Sequence, residues 1–89
     1  MHAVVVKVNI HDFDVAREGL VTQVVPMVSQ APGFVTGYWS RSDDDRGLGF
    51  VVFESEDAAR AVADMIQSQA PDEGVTLEGV EVREIVASA

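Results

Sequence analysis

The spacing of hydrophobic residues alternates along the chain between the period of a strand and that of a helix. Residues 1–10 are rich in valine, which favours a pleated, packed strand. Asp12 or Asp14 then offers an N-cap, and the apolar residues that follow have helical spacing: Phe13, Ala16, Leu20, Val24, Met27 and Val28. Pro26 falls inside this helix, where it removes a backbone hydrogen bond and is expected to kink the final turn. The run Ala31-Pro32-Gly33 is expected to end the helix.

The second half of the chain predicts a hairpin, a helix and a last strand. Residues 34–41 and 47–54 have strand composition, and residues 42–46 form an acidic loop between them. Ser55 is the expected N-cap of a second helix, whose face continues through Ala58, Val62, Met65, Ile66 and Gln69. Residues 71–74 predict a turn, and residues 75–86 contain the last strand.

This order of elements, βαββαβ, predicts an α+β fold of the ferredoxin-like kind. Two crossovers joined by a hairpin give a four-stranded antiparallel sheet with two helices on one face. The 89 residues are expected to form a single domain, residues 1–89, near the lower size limit for independent folding.

The sheet is predicted to be apolar on both faces, although two helices can cover only one. Counting outward from the loop places Trp39 opposite Gly49 and Val35 opposite Phe53 on one face. The other face then carries the pairs Tyr38–Phe50, Ser40–Leu48, Thr36–Val52 and Phe34–Glu54. Each large apolar side chain that stays exposed loses about 1.5–3 kcal/mol of stabilisation that its burial would provide. We therefore expect a symmetric homodimer that buries this face.

Composition excludes several classes of partner and chemistry. Fifteen acidic and six basic residues give a net charge of −9, which disfavours nucleic-acid binding. Residues 46–53 do resemble the RNP1 strand of RNA-recognition motifs, but Leu48 stands where an aromatic ring would stack a base. The chain has no cysteine and no apolar run of about 20 residues, so we expect no thiol chemistry, no membrane partner and a cytoplasmic location.

The stretch Ala31-Pro32-Gly33-Phe34-Val35-Thr36-Gly37-Tyr38-Trp39, with the later run Val52-Phe53-Glu54-Ser55, resembles the dimeric α/β-barrel superfamily. In particular, it looks like the antibiotic biosynthesis monooxygenase-like domains. That resemblance implies a homodimeric barrel and, in some members, cofactor-independent oxygenation of aromatic molecules. Asn9 could take the place of the first-strand asparagine of the haem-degrading branch. The second helix, however, lacks the tryptophan and histidine of that branch, so we expect no haem and no other cofactor.

Five residues are candidates for a site. Trp39 opposite Gly49, with Tyr38 beside it, could line a substrate-binding cleft that stacks a flat molecule, or the tryptophan could simply fill the space that its glycine partners leave. Asn9 could hold a developing oxyanion, and His11 could act as a general base. A backbone-bonded asparagine and a solvated loop histidine are the ordinary alternatives.

The acidic run Asp43-Asp44-Asp45 lacks the alternating ligands, glycine and closing glutamate of an EF-hand, so we expect no metal there. Arg41 and Arg46 flank the run and are expected to offset part of its repulsion. His2 and His11 with Asp12 and Asp14 follow no metal-ligand spacing either.

Two functions from different classes remain open. The first is a cofactor-free monooxygenase acting on a small aromatic molecule, with Asn9 and His11 catalytic and Trp39, Tyr38 and Gly49 binding substrate. The alternative is a non-catalytic dimeric module that binds a small ligand or a partner protein. RNA binding is a third.

Overall fold

The computed structural model of the protein describes residues 1–69 and 74–89. Of the turn predicted over residues 71–74, only Gly74 falls within the described residues. The strands are β1 (His2–Ile10), β2 (Phe34–Arg41), β3 (Arg46–Phe53) and β4 (Val75–Glu84). The helices are α1 (Phe13–Gly19), a π-helical segment (Leu20–Val24), α2 (Val25–Ser29) and α3 (Glu56–Ser68). The first three segments follow one another directly, and we call residues 13–29 the composite helix.

The four strands form one antiparallel sheet in the order β2-β3-β1-β4. Strands β1 and β3 are central, and the composite helix and α3 connect the strands as the order βαββαβ requires. The predicted α+β class with a four-stranded antiparallel sheet is therefore confirmed. The arrangement is compatible with a ferredoxin-like fold.

The register of the hairpin agrees with the sequence prediction except at one end. Trp39 pairs with Gly49 and Tyr38 pairs with Phe50, as predicted. The pairing shifts between Phe34 and Thr36, so that Phe34 lies opposite Phe53. The predicted pairs Val35–Phe53 and Phe34–Glu54 are therefore wrong. The reason is an extra residue on β2, which the regular alternation of a strand cannot foresee.

The main core lies between the sheet and the helices. Val4, Val51 and Phe53 are fully buried on one face of the sheet, where Val28 of α2 packs against them. Helix α3 adds the small side chains Ala59, Val62 and Ala63 to the same cluster. Small residues let this helix approach the sheet closely, so α3 leaves little free volume on its side.

The first helix begins after Asp12, one of its two predicted N-caps, and α3 begins after the predicted Ser55, because a side-chain oxygen satisfies a free backbone N–H at each start. Asp12 accepts a hydrogen bond from the Val15 N–H at 3.3 Å, and Ser55 accepts one from the Ala58 N–H at 3.2 Å. No helix among the described residues has the length and apolar character needed to cross a bilayer.

The proline inside the composite helix is accommodated by a wider helical turn. Pro26 has no N–H, and its ring would collide with the carbonyl four residues earlier in a regular α-helix. The segment Leu20–Val24 is instead π-helical, and the Val25 N–H donates to the Leu20 carbonyl five residues back. The predicted disturbance therefore lies in the turn before Pro26 and takes the form of a π-helical segment.

Candidate functional site

A cleft of about 630 Å³ lies between the composite helix and the sheet. Its sheet side includes Val6 and Val8 of β1, and its helix side includes Ala16, Leu20 and Val24. Most of the lining residues are apolar. The volume falls within the range of roughly 300–1,000 Å³ typical of small-molecule sites.

The indole of Trp39 lies over two glycines on the sheet side of this cleft. A Cβ added to Gly49 would lie 3.0 Å from both Cδ1 and Nε1 of the indole. A Cβ added to Gly37 would lie 2.9 Å from Cη2 and 3.1 Å from Cζ3. Opposite ends of the ring system therefore rest on neighbouring strands, and the indole lies along the sheet. This packing fills the space above the glycines and still leaves Trp39 in the lining of the cleft.

The π-helical segment gives the cleft a broad apolar wall. Leu20, Val21 and Val24 of this segment line it, together with Val25, the first residue of α2. In a regular α-helix, neighbours in sequence are rotated by about 100° and do not share one face. A widened turn brings such neighbours closer to one side, and turns of this kind are frequent at functional sites.

One end of the cleft is bordered by a contact between an arginine and an aromatic ring. Arg41, the last residue of β2, places its guanidinium carbon 3.7 Å from the centre of the Phe13 ring at the start of α1. Both residues line the cleft. The partner of Arg41 on β3 is the buried Gly47, where an added Cβ would lie only 2.6 Å from Cγ2 of Val8, so the side chains of β1 fill the position that glycine leaves.

The charged residues in the described lining of the cleft are both positive. Arg17 and Arg41 belong to its lining, and the described lining contains no aspartate, glutamate or histidine. The chain as a whole carries fifteen acidic residues and a net charge of −9. The cleft therefore differs in sign from the overall charge of the protein.

Three of the predicted substrate-binding residues meet at the cleft. Trp39 and Gly49 line it through the face that packs against the composite helix. Tyr38 also borders it, but the Tyr38 side chain is 70% exposed on the opposite face of the sheet, paired with Phe50. Because side chains alternate along a strand, Tyr38 meets the cleft through its backbone.

The two residues predicted to be catalytic do not line the cleft. Asn9 pairs with Arg46 and Thr76, and alternation places it on the sheet face opposite to Val8. His11 is exposed between β1 and α1, where its Nε2 is within hydrogen-bond distance of the Thr76 hydroxyl. Its backbone N–H donates to the Gly74 carbonyl at 2.7 Å. The catalytic roles of Asn9 and His11 stay predictions.

The acidic loop is held by its own residues. The Ser42 hydroxyl donates to the Asp44 carboxylate, and the Arg46 guanidinium lies 3.3 Å from the same group. The Ser42 hydrogen bond, helped by Arg46, lowers the pKa of Asp44 below its ordinary value. Arg46 thus offsets acidic charge in the loop as predicted, whereas Arg41 lies over Phe13 instead. No group of potential metal ligands gathers in residues 1–69 and 74–89.

Sequence reasoning missed the two cleft arginines as functional candidates. The alternation of side chains along a strand could have indicated Arg41. Gly37, Trp39 and Arg41 follow one another at intervals of two residues and therefore lie on one face of β2. The same alternation in β1 separates Asn9 from the apolar set of Val4, Val6, Val8 and Ile10.

Comparison with known proteins gives no assignment of family: no protein-family model matches the chain, and no curated protein matches it either.

Proposed function

We propose that the chain binds a small, flat, largely apolar molecule in the cleft between the composite helix and the sheet. The observation that carries this proposal is the cleft of about 630 Å³, with Trp39 in its wall. A space of this size between packed layers costs contacts that a close-packed core would make, and a bound ligand would recover them.

Trp39 defines the shape of the ligand. An indole lying along the sheet offers a flat apolar surface on which another planar ring can stack, and offset-stacked aromatic pairs gain about 0.5–1.5 kcal/mol beyond their buried area. Because the glycines beneath the ring have no side chains, the ring lies close to the backbone of the sheet, and free volume remains above it. We therefore infer an aromatic or similarly flat ligand.

A titration with the neutral fluorescent dye N-phenyl-1-naphthylamine tests this proposal. Trp39 is the only tryptophan of the chain, so energy transfer from tryptophan to dye reports binding near it. Ala16→Phe fills the cleft from the helix side and should weaken dye binding by about ten-fold or more, the equivalent of about 1.4 kcal/mol. Equal affinity in this variant would contradict binding in the cleft.

A matched control uses the same substitution outside the cleft. Ala61 is exposed on α3 and does not line the cleft, so Ala61→Phe should bind the dye as the unchanged chain does. Urea unfolding of both variants verifies that each remains folded. A loss of binding in both folded variants would point to the added phenyl ring itself and would not support the cleft.

We further propose that the chain belongs with the dimeric α/β barrels and forms a homodimer through the open face of its sheet. Tyr38 and Phe50 face each other across β2 and β3, with Leu48 two residues along, and all three side chains are exposed. Together they form an apolar patch that packing against a second sheet would remove from water.

The charges of this face suit a second copy of the same chain. Lys7 lies 3.5 Å from Glu81, and Arg83 lies 3.0 Å from the same carboxylate. An isologous interface brings each patch against itself, so any large excess of one charge would repel. Because the charged groups bordering the patch pair with one another, two acidic chains can approach through this face.

Cofactor-free oxygenation is a second candidate, favoured by the apolar, cation-bordered cleft. In such a reaction an anthrone-type substrate loses two hydrogens at its methylene carbon and gains one oxygen atom there, while the second atom of O2 leaves as water. The substrate supplies all the electrons, so no other reductant is needed. The apolar walls would exclude water, and the guanidinium of Arg41 would favour the substrate anion that reacts with O2.

Oxygen consumption with anthrone tests this candidate separately from binding. Catalysis predicts consumption above the buffer rate that the Ala16→Phe variant lacks and the Ala61→Phe variant keeps. If the chain binds the dye yet leaves the anthrone oxidation rate at the buffer value, the oxygenase candidate fails and the binding function stands.

A further inference from the structure

Among the residues that the structure describes, the two arginines of the cleft differ from the other basic residues in having no carboxylate partner. Lys7, Arg46, Arg60 and Arg83 each form an ion pair with a glutamate or aspartate. Arg17 and Arg41 form no ion pair with any of the residues 1–69 and 74–89. These two are also the only basic side chains in the part of the cleft lining that the structure describes.

This distribution is unusual for so acidic a protein. With fifteen acidic residues against six basic ones, a surface arginine has many carboxylates to choose from. Arg17 has an acidic residue on each side along α1, Asp14 three positions before it and Glu18 next to it, yet it pairs with neither within the described residues. Within residues 1–69 and 74–89, the fold therefore places two positive charges and no acidic group in the lining of an apolar cleft.

The geometry of Arg41 positions its guanidinium without using its hydrogen bonds. The contact with the Phe13 ring, 3.7 Å from the ring centre, engages the flat face of the guanidinium. The N–H groups lie in the plane of that group and point outward from the contact. Within the part of the chain that the structure describes, none of them donates to another residue, so they are available to an oxygen atom of a ligand.

We propose that the cleft selects amphipathic anions: a flat apolar body with one carboxylate or sulfonate group, the body against Trp39 and the anionic group held by Arg41 with the support of Arg17. Guanidinium binds such groups through two parallel N–H donors, and these charge-assisted hydrogen bonds are about twice as strong as neutral ones. This inference rests on the proposed binding function and adds the chemical class of the ligand.

A matched pair of dyes tests the inference. The dye 8-anilino-1-naphthalenesulfonate has the same ring skeleton as N-phenyl-1-naphthylamine and adds a sulfonate. Arg41→Gln should reduce the affinity for the sulfonate dye about ten-fold more than the affinity for the neutral dye, since only the sulfonate loses charge-assisted hydrogen bonds. Arg17→Gln should have a smaller effect of the same kind, and Arg41→Lys should restore part of the selectivity.

Arg60→Gln is the control, because Arg60 is exposed on α3, pairs with Glu56 at 2.9 Å and does not line the cleft. It should leave the ratio of the two affinities unchanged. If Arg41→Gln lowers the affinity for both dyes equally, Arg41 only keeps the cleft open through its contact with Phe13. That result would overturn the inference and leave the proposed binding function in place. If neither dye binds the unchanged chain, the proposed function fails and the inference fails with it.

Discussion

Trp39 lies directly opposite Gly49 in the β2–β3 ladder, and the five-membered ring of its indole covers that glycine. The same ring system reaches back along its own strand to cover Gly37. The tryptophan is therefore both a packed side chain and a wall of the cleft. The sequence left open whether Trp39 lines a cleft or fills the space that its glycine partners leave, and in the structure it does both.

Adding a methyl group beneath this ring should destabilise the fold. In Gly49→Ala the new Cβ would lie 3.0 Å from two indole atoms, so the ring must shift, and overpacking of this kind costs about 1–3 kcal/mol. Gly79→Ala is the control, because a Cβ there meets no atom within 4 Å. Urea unfolding measures both. In a Trp39→Phe background, Gly49→Ala should lower the free energy of unfolding by less. An equal loss in both backgrounds would mean that the indole does not cause the destabilisation.

The apolar patch of the open sheet face should hold two chains together. Light scattering is expected to give twice the chain mass of 9.6 kDa. Phe50→Lys places a charge in the centre of the patch and its symmetric copy, and should yield monomers, because an unpaired charge at a buried interface is costly. Glu84→Lys adds the same side chain at an exposed strand end and should leave the mass unchanged. A mass of 9.6 kDa for the unchanged chain would refute the dimer and the barrel with it.

The acidic loop should show a pH dependence that originates at Asp44. Its pKa is lowered in the folded chain, chiefly by the Ser42 hydroxyl, so its ionised form stabilises the fold above its ordinary pKa of about 4. That contribution is lost as the pH falls through the lower, folded-state value. NMR titration should find the Asp44 pKa below the ordinary aspartate value of about 4, and Ser42→Ala should raise it. An unchanged Asp44 pKa in Ser42→Ala would exclude the hydroxyl as the cause.

The sequence allowed prediction of the sheet because short-range signals agree with one another. The loop at residues 42–46 and the period of two placed Trp39 opposite Gly49 without any structure. The same counting gave the wrong pairs on the N-terminal side of Thr36. The extra residue at the start of β2 cannot be recognised from the amino-acid composition of the strand. The caps at Asp12 and Ser55 were predictable because each depends on a single side chain and a nearby N–H.

The site was predictable only in part. The glycines around Trp39 indicated free volume on one face of the hairpin, and the cleft is there. Its width depends on the π-helical turn before Pro26, and a proline does not specify which distortion a helix adopts. Arg41 forms no ion pair with the residues that the structure describes, and the aspartates that follow it in sequence gave the opposite expectation.

The position of the ligand is the central claim, and the NMR signals of the cleft test it most directly. The chain has one tryptophan, so its spectrum contains one indole N–H signal, from Trp39. On addition of N-phenyl-1-naphthylamine we expect this signal and the amide of Gly49 to shift, while the side-chain amide of Asn9, on the opposite face, stays in place. An indole signal that does not move at saturating dye, or a shift at Asn9 alone, would contradict binding in the cleft.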